Sequence, residues 1–307
     1  MDTRRIGSLE VSVVGLGCNN FGRRLDSVST SAVVDTALDV GITFFDTADV
    51  YGSTRSEEYL AHALGRRRED VMIATKFGSA VDEQRRGARP EYVRRAVDDS
   101  LLRLGTDRID LYQLHTPDPQ VPIEETLGAL DELVNAGKVR EIGCSNFSAD
   151  QLREAEEATR EDAARFASVQ NEYSLLHREP EGDVLPECER LGIAFIPYFP
   201  LANGLLTGKY RRGKDAPAGS RLDSARGERL LTDRNLDVVE RLIGFSESRG
   251  RTILELAFSW LLTRPAVASV IAGATSSEQA RSNAAAAGCE LTDAELAEVD
   301  SILTRQG

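Results

Sequence analysis

The chain has 307 residues, 41% of them hydrophobic and 28% charged, an ordinary globular composition long enough to bury a large core. A formal net charge of -13 argues against nucleic acid or an anionic membrane surface as a partner, and no apolar run reaches the roughly 18 residues of a membrane span. Scattered cysteines (Cys18, Cys144, Cys188, Cys289) and three histidines (His62, His115, His177) give no CxxC pair and no metal-ligand spacing, and the N-terminal stretch MDTRRIGSLEVSVVG has no long apolar core of the signal-peptide kind, so a reducing cytoplasm is expected.

Residues 4 to 14 alternate around Gly7-Ser8 and predict a β-hairpin. VVGLGCNNFG follows, and its glycines (Gly15, Gly17, Gly22) have the wrong spacing for a dinucleotide fingerprint, with no helix opening at the second. A strand over Val13–Leu16 is expected there instead. Then helices and strands alternate. Helical spacing runs over Ser31–Val40, Ser56–Leu64, Pro90–Leu104, Pro122–Ala136, Ala149–Ala158 and Val184–Leu191. Between them lie short apolar strands at Ile42–Phe45, Val71–Ala74, Ile109–Leu114, Val139–Gly143, Ala167–Val169 and Ile193–Ile196. A long loop, Leu201–Thr232, interrupts. Helices at Asn235–Ser248 and Ile253–Leu262, a last strand at Val267–Ile271, a helix at Glu278–Ala287 and a terminal helix at Ala294–Leu303 complete the pattern. Eight strands alternating with amphipathic helices in one domain of this length predict an α/β fold, a closed (β/α)8 barrel (TIM barrel) over residues 1–307, with the N-terminal hairpin (within residues 1–14) plugging its bottom.

The distinctive polar residues stand just after strands: Asp46, Lys76, His115, Ser145-Asn146, Gln170 and Tyr198. A barrel brings all strand ends to one rim, where active sites of this fold sit. FFDTADVYG adds Tyr51 five residues after Asp46. Lys76 and Asp46 can pair as ions, and a Lys⁺ beside Tyr51 is expected to lower the phenol's pKa from about 10. Tyr51 would then be a general acid near neutral pH, with His115 orienting a substrate oxygen. None of these is a strong nucleophile, so a cofactor hydride is the natural attacker of a carbonyl carbon.

With FFDTADVYG, ATKFG, LHTPDP, IGCSNFS, VQNEYS and PYFPLANGLLTGKY in order over nearly the whole chain, the sequence resembles the aldo-keto reductase superfamily. The resemblance implies NADPH, or NADH, bound to a barrel without a dinucleotide-fold domain. It implies a catalytic tetrad on Asp46, Tyr51, Lys76 and His115: Tyr51 the acid, Lys76 its modulator, Asp46 the partner of Lys76, His115 the carbonyl orienter. It implies that Ser145, Asn146 and Gln170 hold the nicotinamide carboxamide and that Tyr198 stacks on the ring. Cys18, Asn19, Asp46, Phe199, Pro200, Leu201 and Asn203 join the expected cofactor contacts, and Gly273, Thr275, Gln279 and Asn283 in GATSSEQARSN would grip the adenosine end.

The loop Leu201–Arg226 gathers Lys209, Arg211, Arg212, Lys214 and Arg221, a basic excess suited to phosphates, and by resemblance Lys209 and Arg221 are the phosphate candidates. Arg221 is the expected 2′-phosphate partner, with Thr275 and the helix start at Ser276 as neutral donors. There are departures from relatives. Phe199 replaces a small polar residue, Gly273 and Gln279 stand where many NADPH-specific members carry Lys and Arg, Ser282 replaces an acidic adenine contact, and Asn19 replaces a common aromatic. The expected partner is a small-molecule carbonyl substrate, with oligomeric state open. Two alternatives stay open. One is a non-catalytic, redox-sensing NADPH-binding subunit, as in potassium-channel β subunits, which depart at the histidine position. The other is an alcohol or sugar dehydrogenase.

Overall fold

In the computed structural model, which describes residues 1–223 and 225–304, the chain opens with an antiparallel pair, β1 (Thr3–Ile6) and β2 (Leu9–Ser12). Ile6, Leu9 and Val11 are fully buried. They pack against Phe44, Ala74, Leu111, Ile196 and Ile271, side chains that line the inside of the barrel wall. The hairpin therefore caps the N-terminal end of the barrel, as its alternation implied.

Eight parallel strands form the wall: β3 (Val14–Gly17), β4 (Phe44–Asp46), β5 (Met72–Phe77), β6 (Ile109–Leu114), β7 (Val139–Ser145), β8 (Phe166–Glu172), β9 (Ala194–Tyr198) and β10 (Val270–Gly273). They pair in the order β10-β3-β4-β5-β6-β7-β8-β9. The ring closes where Phe195 N–H donates to the Ala266 carbonyl at 2.7 Å and Ala268 N–H donates to the Phe195 carbonyl at 3.0 Å. Around the wall run α1 (Ser27–Asp39), α2 (Arg55–Leu64), α3 (Pro90–Leu104), α4 (Ile123–Asn135), α5 (Ala149–Ala158) and α6 (Val184–Leu191). After β9 come α7 (Ala225–Leu230), α8 (Asp233–Glu247) and α9 (Ile253–Leu262), and after β10 come α10 (Ser277–Ala285) and α11 (Asp293–Thr304). Local chemistry explains several boundaries. Pro90 opens α3, while capping boxes Ser148/Gln151 and Thr252/Glu255 start α5 and α9.

Several boundaries differ from expectation for identifiable reasons. The strands β5, β7, β8 and β9 run two or three residues beyond their expected ends at Ala74, Gly143, Val169 and Ile196, so Lys76, Ser145, Gln170 and Tyr198 belong to strands. Their main chains stay in the ladder although their side chains are polar, which an apolar-run reading cannot see. The last strand starts at Val270, not Val267: Val267 instead bridges Phe195 to close the ring. The first barrel helix starts at Ser27 because Asp26 accepts a hydrogen bond from Ser29 N–H, an N-cap ahead of the apolar periodicity. The long loop contains a 3-10 turn at Ala202–Thr207 and the short α7. Ser224, and the side chain of Arg226 at which the basic stretch was expected to end, lie outside the described residues. Among the described residues no helix is long and apolar enough to cross a membrane.

Candidate active site

Four polar side chains fill the interior of the barrel at its C-terminal end: Asp46 on β4, Lys76 on β5, Gln113 on β6 and Gln170 on β8, each no more than 2% exposed. Lys76 Nζ donates to both Asp46 oxygens at 2.7 Å and to the Thr47 carbonyl at 2.8 Å. Gln170 Nε2 donates to Asp46 Oδ1 at 2.9 Å, and Gln113 Nε2 reaches the same oxygen at 3.4 Å. The charges of Lys76 and Asp46 thus cancel within one contact, and the carboxylate is held by two amides besides. Gly143 on β7 makes room for this layer: a Cβ there would stand 2.6 Å from Ser168 Oγ and 3.2 Å from Gln113 Cγ. Sequence reasoning missed Gln113. Its signal was its position two residues before His115, hence on the same face of an otherwise apolar strand.

Tyr51 lies above this layer. Lys76 Nζ is 5.2 Å from the centre of its ring, and the ammonium acts on the phenol hydroxyl. The turn that carries Tyr51 is fastened at several points. Thr47 N–H and Asp49 N–H donate to the carbonyls of Ala74 (2.8 Å) and Lys76 (3.0 Å) on β5. Thr47 Oγ1 meets Ser56 Oγ at 2.8 Å, and Ser56 Oγ donates to the Cys18 carbonyl at 2.9 Å. Gly52 is required next, because a Cβ there would lie 2.3 Å from the Phe21 carbonyl oxygen. His115 faces Tyr51 edge to face with ring centres 5.7 Å apart. Among the described residues nothing hydrogen-bonds its buried Nδ1.

The protonation states correct one expectation. Burial raises the Tyr51 phenol above its ordinary pKa of 10.0, outweighing the opposing pull of Lys76, and Asp46 adds to the rise. The expected lowering fails because burial of the phenol costs its charged form more than Lys76 returns, with Asp46 a smaller addition. Burial opposes the charge of Lys76, but Asp46 and Tyr51 outweigh it and lift its pKa above 10.5. Burial, helped by Lys76, lowers His115 to about 3, so its imidazole is neutral across the ordinary pH range.

The remaining candidates divide into those at the rim and those engaged elsewhere. Ser145 Oγ donates to the Gln170 carbonyl at 2.7 Å, and Asn146 Nδ2 donates to Ser145 Oγ at 3.1 Å and to the His115 carbonyl at 2.9 Å. Tyr198 OH donates to Asn146 Oδ1 at 2.8 Å, leaving a half-buried ring beside this polar set. Asn19 Oδ1 accepts from Arg221 Nη2 at 3.4 Å, and Asn20 Oδ1 lies 3.5 Å from the same nitrogen. The Arg221 guanidinium sits 5.8 Å from the Phe199 ring centre. Lys209 is exposed beside Gly204, and Gly273 is exposed next to Asn19 and Asn20. Pro200, Asn203 and Asn283 are buried and Leu201 is half-buried. Cys18 has no exposed surface to offer a ligand, and its main-chain N–H and carbonyl are taken by Asp46 and Ser56. Two members of the expected basic cluster face away. Arg211 makes a two-pronged contact with Glu240 at 2.8 and 2.7 Å, and Arg212 pairs with Asp237, both on α8. Thr275 is also occupied: its N–H and hydroxyl both go to Gln279 Oε1, at 2.8 and 3.1 Å.

A nicotinamide dinucleotide fits this donor set. A polar cluster and a half-buried aromatic face flank the tetrad, and a guanidinium and an ammonium stand on the loop after β9. Among the described residues there is no His, Cys, Asp or Glu grouping suited to a metal ion.

Residues 13–304 match the model of the Aldo/keto reductase family. The chain is 36% identical over 299 residues to probable aldo-keto reductase 1 of Glycine max, covering 94% of this chain and 85% of that one. Its fold superposes on the glycerol dehydrogenase AKR11B4 of Gluconobacter oxydans with a TM-score of 0.83 and 32% identity, covering 98% and 95% of the two chains.

Proposed function

The chain belongs to the aldo/keto reductase family, an oxidoreductase family of carbonyl and alcohol chemistry that uses nicotinamide cofactors, and we propose that it reduces aldehydes or ketones with NADPH, Tyr51 acting as the general acid. The observation that carries this reading is the neutral Lys76–Asp46 pair directly beneath Tyr51. Tyr51 is a full phenol at neutral pH and therefore loaded to donate. The phenolate left after donation lies beside the Lys76 ammonium, so the charge formed in the transition state meets a cation already in place. His115, neutral throughout, offers an uncharged ring nitrogen to orient a carbonyl oxygen without competing for the proton. The bound cofactor would supply the hydride in reduction and accept it in oxidation. Ser145, Asn146 and Gln170 would hold its carboxamide and Tyr198 would lie against its ring. The test is a panel of aldehydes, ketones and alcohols assayed with NADPH and NADH. Absence of turnover on every carbonyl with both cofactors would remove this reading in favour of a binding subunit.

A second reading, oxidation of an alcohol, draws on the likeness to a glycerol dehydrogenase. Tyr51 would then have to begin as a base, and its raised pKa predicts that oxidation, unlike reduction, accelerates steadily as pH rises toward 10.

NADPH preference is assigned to Arg221. The 2′-phosphate is strongly anionic and the protein carries a net charge of -13, so a local cation has to reverse the sign. Arg221 stands near Gly273, where Asn19 and Asn20 accept from its Nη2 at 3.4 and 3.5 Å, and Arg211 and Arg212 pair with Glu240 and Asp237 on α8. Arg221→Ala should weaken NADPH by about 1.5–3 kcal/mol, the scale of a charge-assisted hydrogen bond, and leave NADH nearly unchanged. Fluorescence titration with both cofactors reads this. Equal losses would assign Arg221 to the pyrophosphate instead.

A further inference from the structure

The turn that carries Tyr51 holds a second acid, Asp49, for which the proposed reaction has no use. Its main chain is tied to β5 through the Lys76 carbonyl, and Tyr51 N–H donates to the Ala48 carbonyl at 3.1 Å, so Asp49 and Tyr51 sit in one continuous turn. The Asp49 side chain is turned toward α3 and is 2% exposed. Oδ2 receives a long hydrogen bond from Tyr92 OH at 3.4 Å, the Val50 main-chain N–H adds a weaker pull toward the charged form, and among the described residues nothing donates to Oδ1 within hydrogen-bond distance. The ionisable groups around it are Tyr92 and Arg103 of α3, Glu57 of α2 and Tyr112 of β6. Arg103 is already committed: its Nε donates to Glu57 Oε2 at 2.6 Å, while Thr75 Oγ1 donates to Glu57 Oε1 at 2.6 Å. The cluster therefore contains one cation and two carboxyls, and the cation is spent on Glu57. A buried carboxylate held this weakly is costly, whereas the neutral acid is tolerated.

We propose that Asp49 is a positioning residue for Tyr51: as the neutral acid it seats the Tyr51 turn against α3, and its ionisation unseats that turn and slows proton donation. The proposal rests on the reading of Tyr51 as the acid. Burial, with Glu57 as the second cause, lifts the Asp49 carboxyl from 3.8 to about 7, which brings the switch into the neutral range. Tyr51 and Lys76 titrate above their ordinary values and His115 at about 3, so a transition near 7 belongs to none of them.

Two measurements with Asp49→Asn test it. The first needs no turnover. Because the folded pKa exceeds the unfolded one, the contribution of Asp49 to stability is complete below about 3.8 and falls as pH rises to about 7, where the fall ends. The Tm of Asp49→Asn should therefore gain on wild type between those limits, and parallel curves would overturn the neutral-acid state. The second is the pH profile of carbonyl reduction. Wild type should lose about tenfold in kcat between pH 6 and pH 8, the span of a one-proton step centred near 7. Asp49→Asn should lack that limb, and an identical limb in the variant overturns the proposal. Should Asp49→Asn not fold, Tyr92→Phe carries both tests: removing a donor to the carboxylate should move the Tm and kcat transitions to higher pH, and unmoved transitions overturn the proposal. A Tm divergence alongside an undiminished Tyr51→Phe rate would instead fault the reading of Tyr51 and leave the acid state of Asp49 standing.

Discussion

Tyr51→Phe is expected to lower carbonyl reduction by about 10²–10⁴-fold while cofactor still binds, the range that a single general acid contributes. The substitution removes only the hydroxyl. The ring still packs edge to face with His115 and over Lys76, so the fold and the cofactor cleft are retained. Stopped-flow reduction with NADPH and a titration of cofactor fluorescence separate the two effects. The pH dependence adds a second reading of the same group. In the wild type, burial holds the phenol protonated above its ordinary range, so the tetrad itself places no alkaline limb on reduction at neutral pH. Near-native turnover in a folded Tyr51→Phe variant would remove Tyr51 from the reaction.

Lys76→Met is expected to cost about 3–5 kcal/mol of stability, the penalty for stranding a buried charge. Lys76 has no exposed surface, and Asp46 would be left inside the barrel with only the Gln170 and Gln113 amides as partners. The double variant Lys76→Met/Asp46→Asn should recover most of that loss, because removing both charges leaves no uncompensated ion. Urea unfolding of the two variants reads the difference, and equal instability in both would mean that packing, not charge, dominates at this position. The sign with pH is also defined. The folded pKa of Lys76 lies above 10.5, so its contribution to stability is complete below about 10.4 and is lost only as pH rises past that value. Neither variant should recover activity, since both lack the cation that meets the Tyr51 phenolate.

Much of this was legible from residues alone because barrel strands announce themselves twice, by short apolar runs and by the polar residues that end them. Phe44–Phe45 before Asp46, and Ile109–Leu114 before His115, place both polar groups on one rim without any tertiary knowledge. The hairpin at Gly7 and the helix opened by Pro90 were equally local. What the sequence could not carry was the competition between burial and charge. That Lys76 sits beside Asp46 follows from neighbouring strands. That burial outweighs the pull of Lys76 on Tyr51, with Asp46 adding to the rise, and so leaves a raised phenol, depends on a closed barrel that removes the hydroxyl from water. In the same way, five basic residues in one loop read as a phosphate site, but α8 packs where Glu240 and Asp237 can take Arg211 and Arg212. Asp49 shows the same division. Its carboxyl is plain in the motif FFDTADVYG, yet only the docking of α2, α3 and β6 around it, with Arg103 already claimed by Glu57, makes its charge costly. Order along the chain determined which groups reach the rim, whereas their protonation and partners were decided by the desolvation and pairing that arise when distant elements pack.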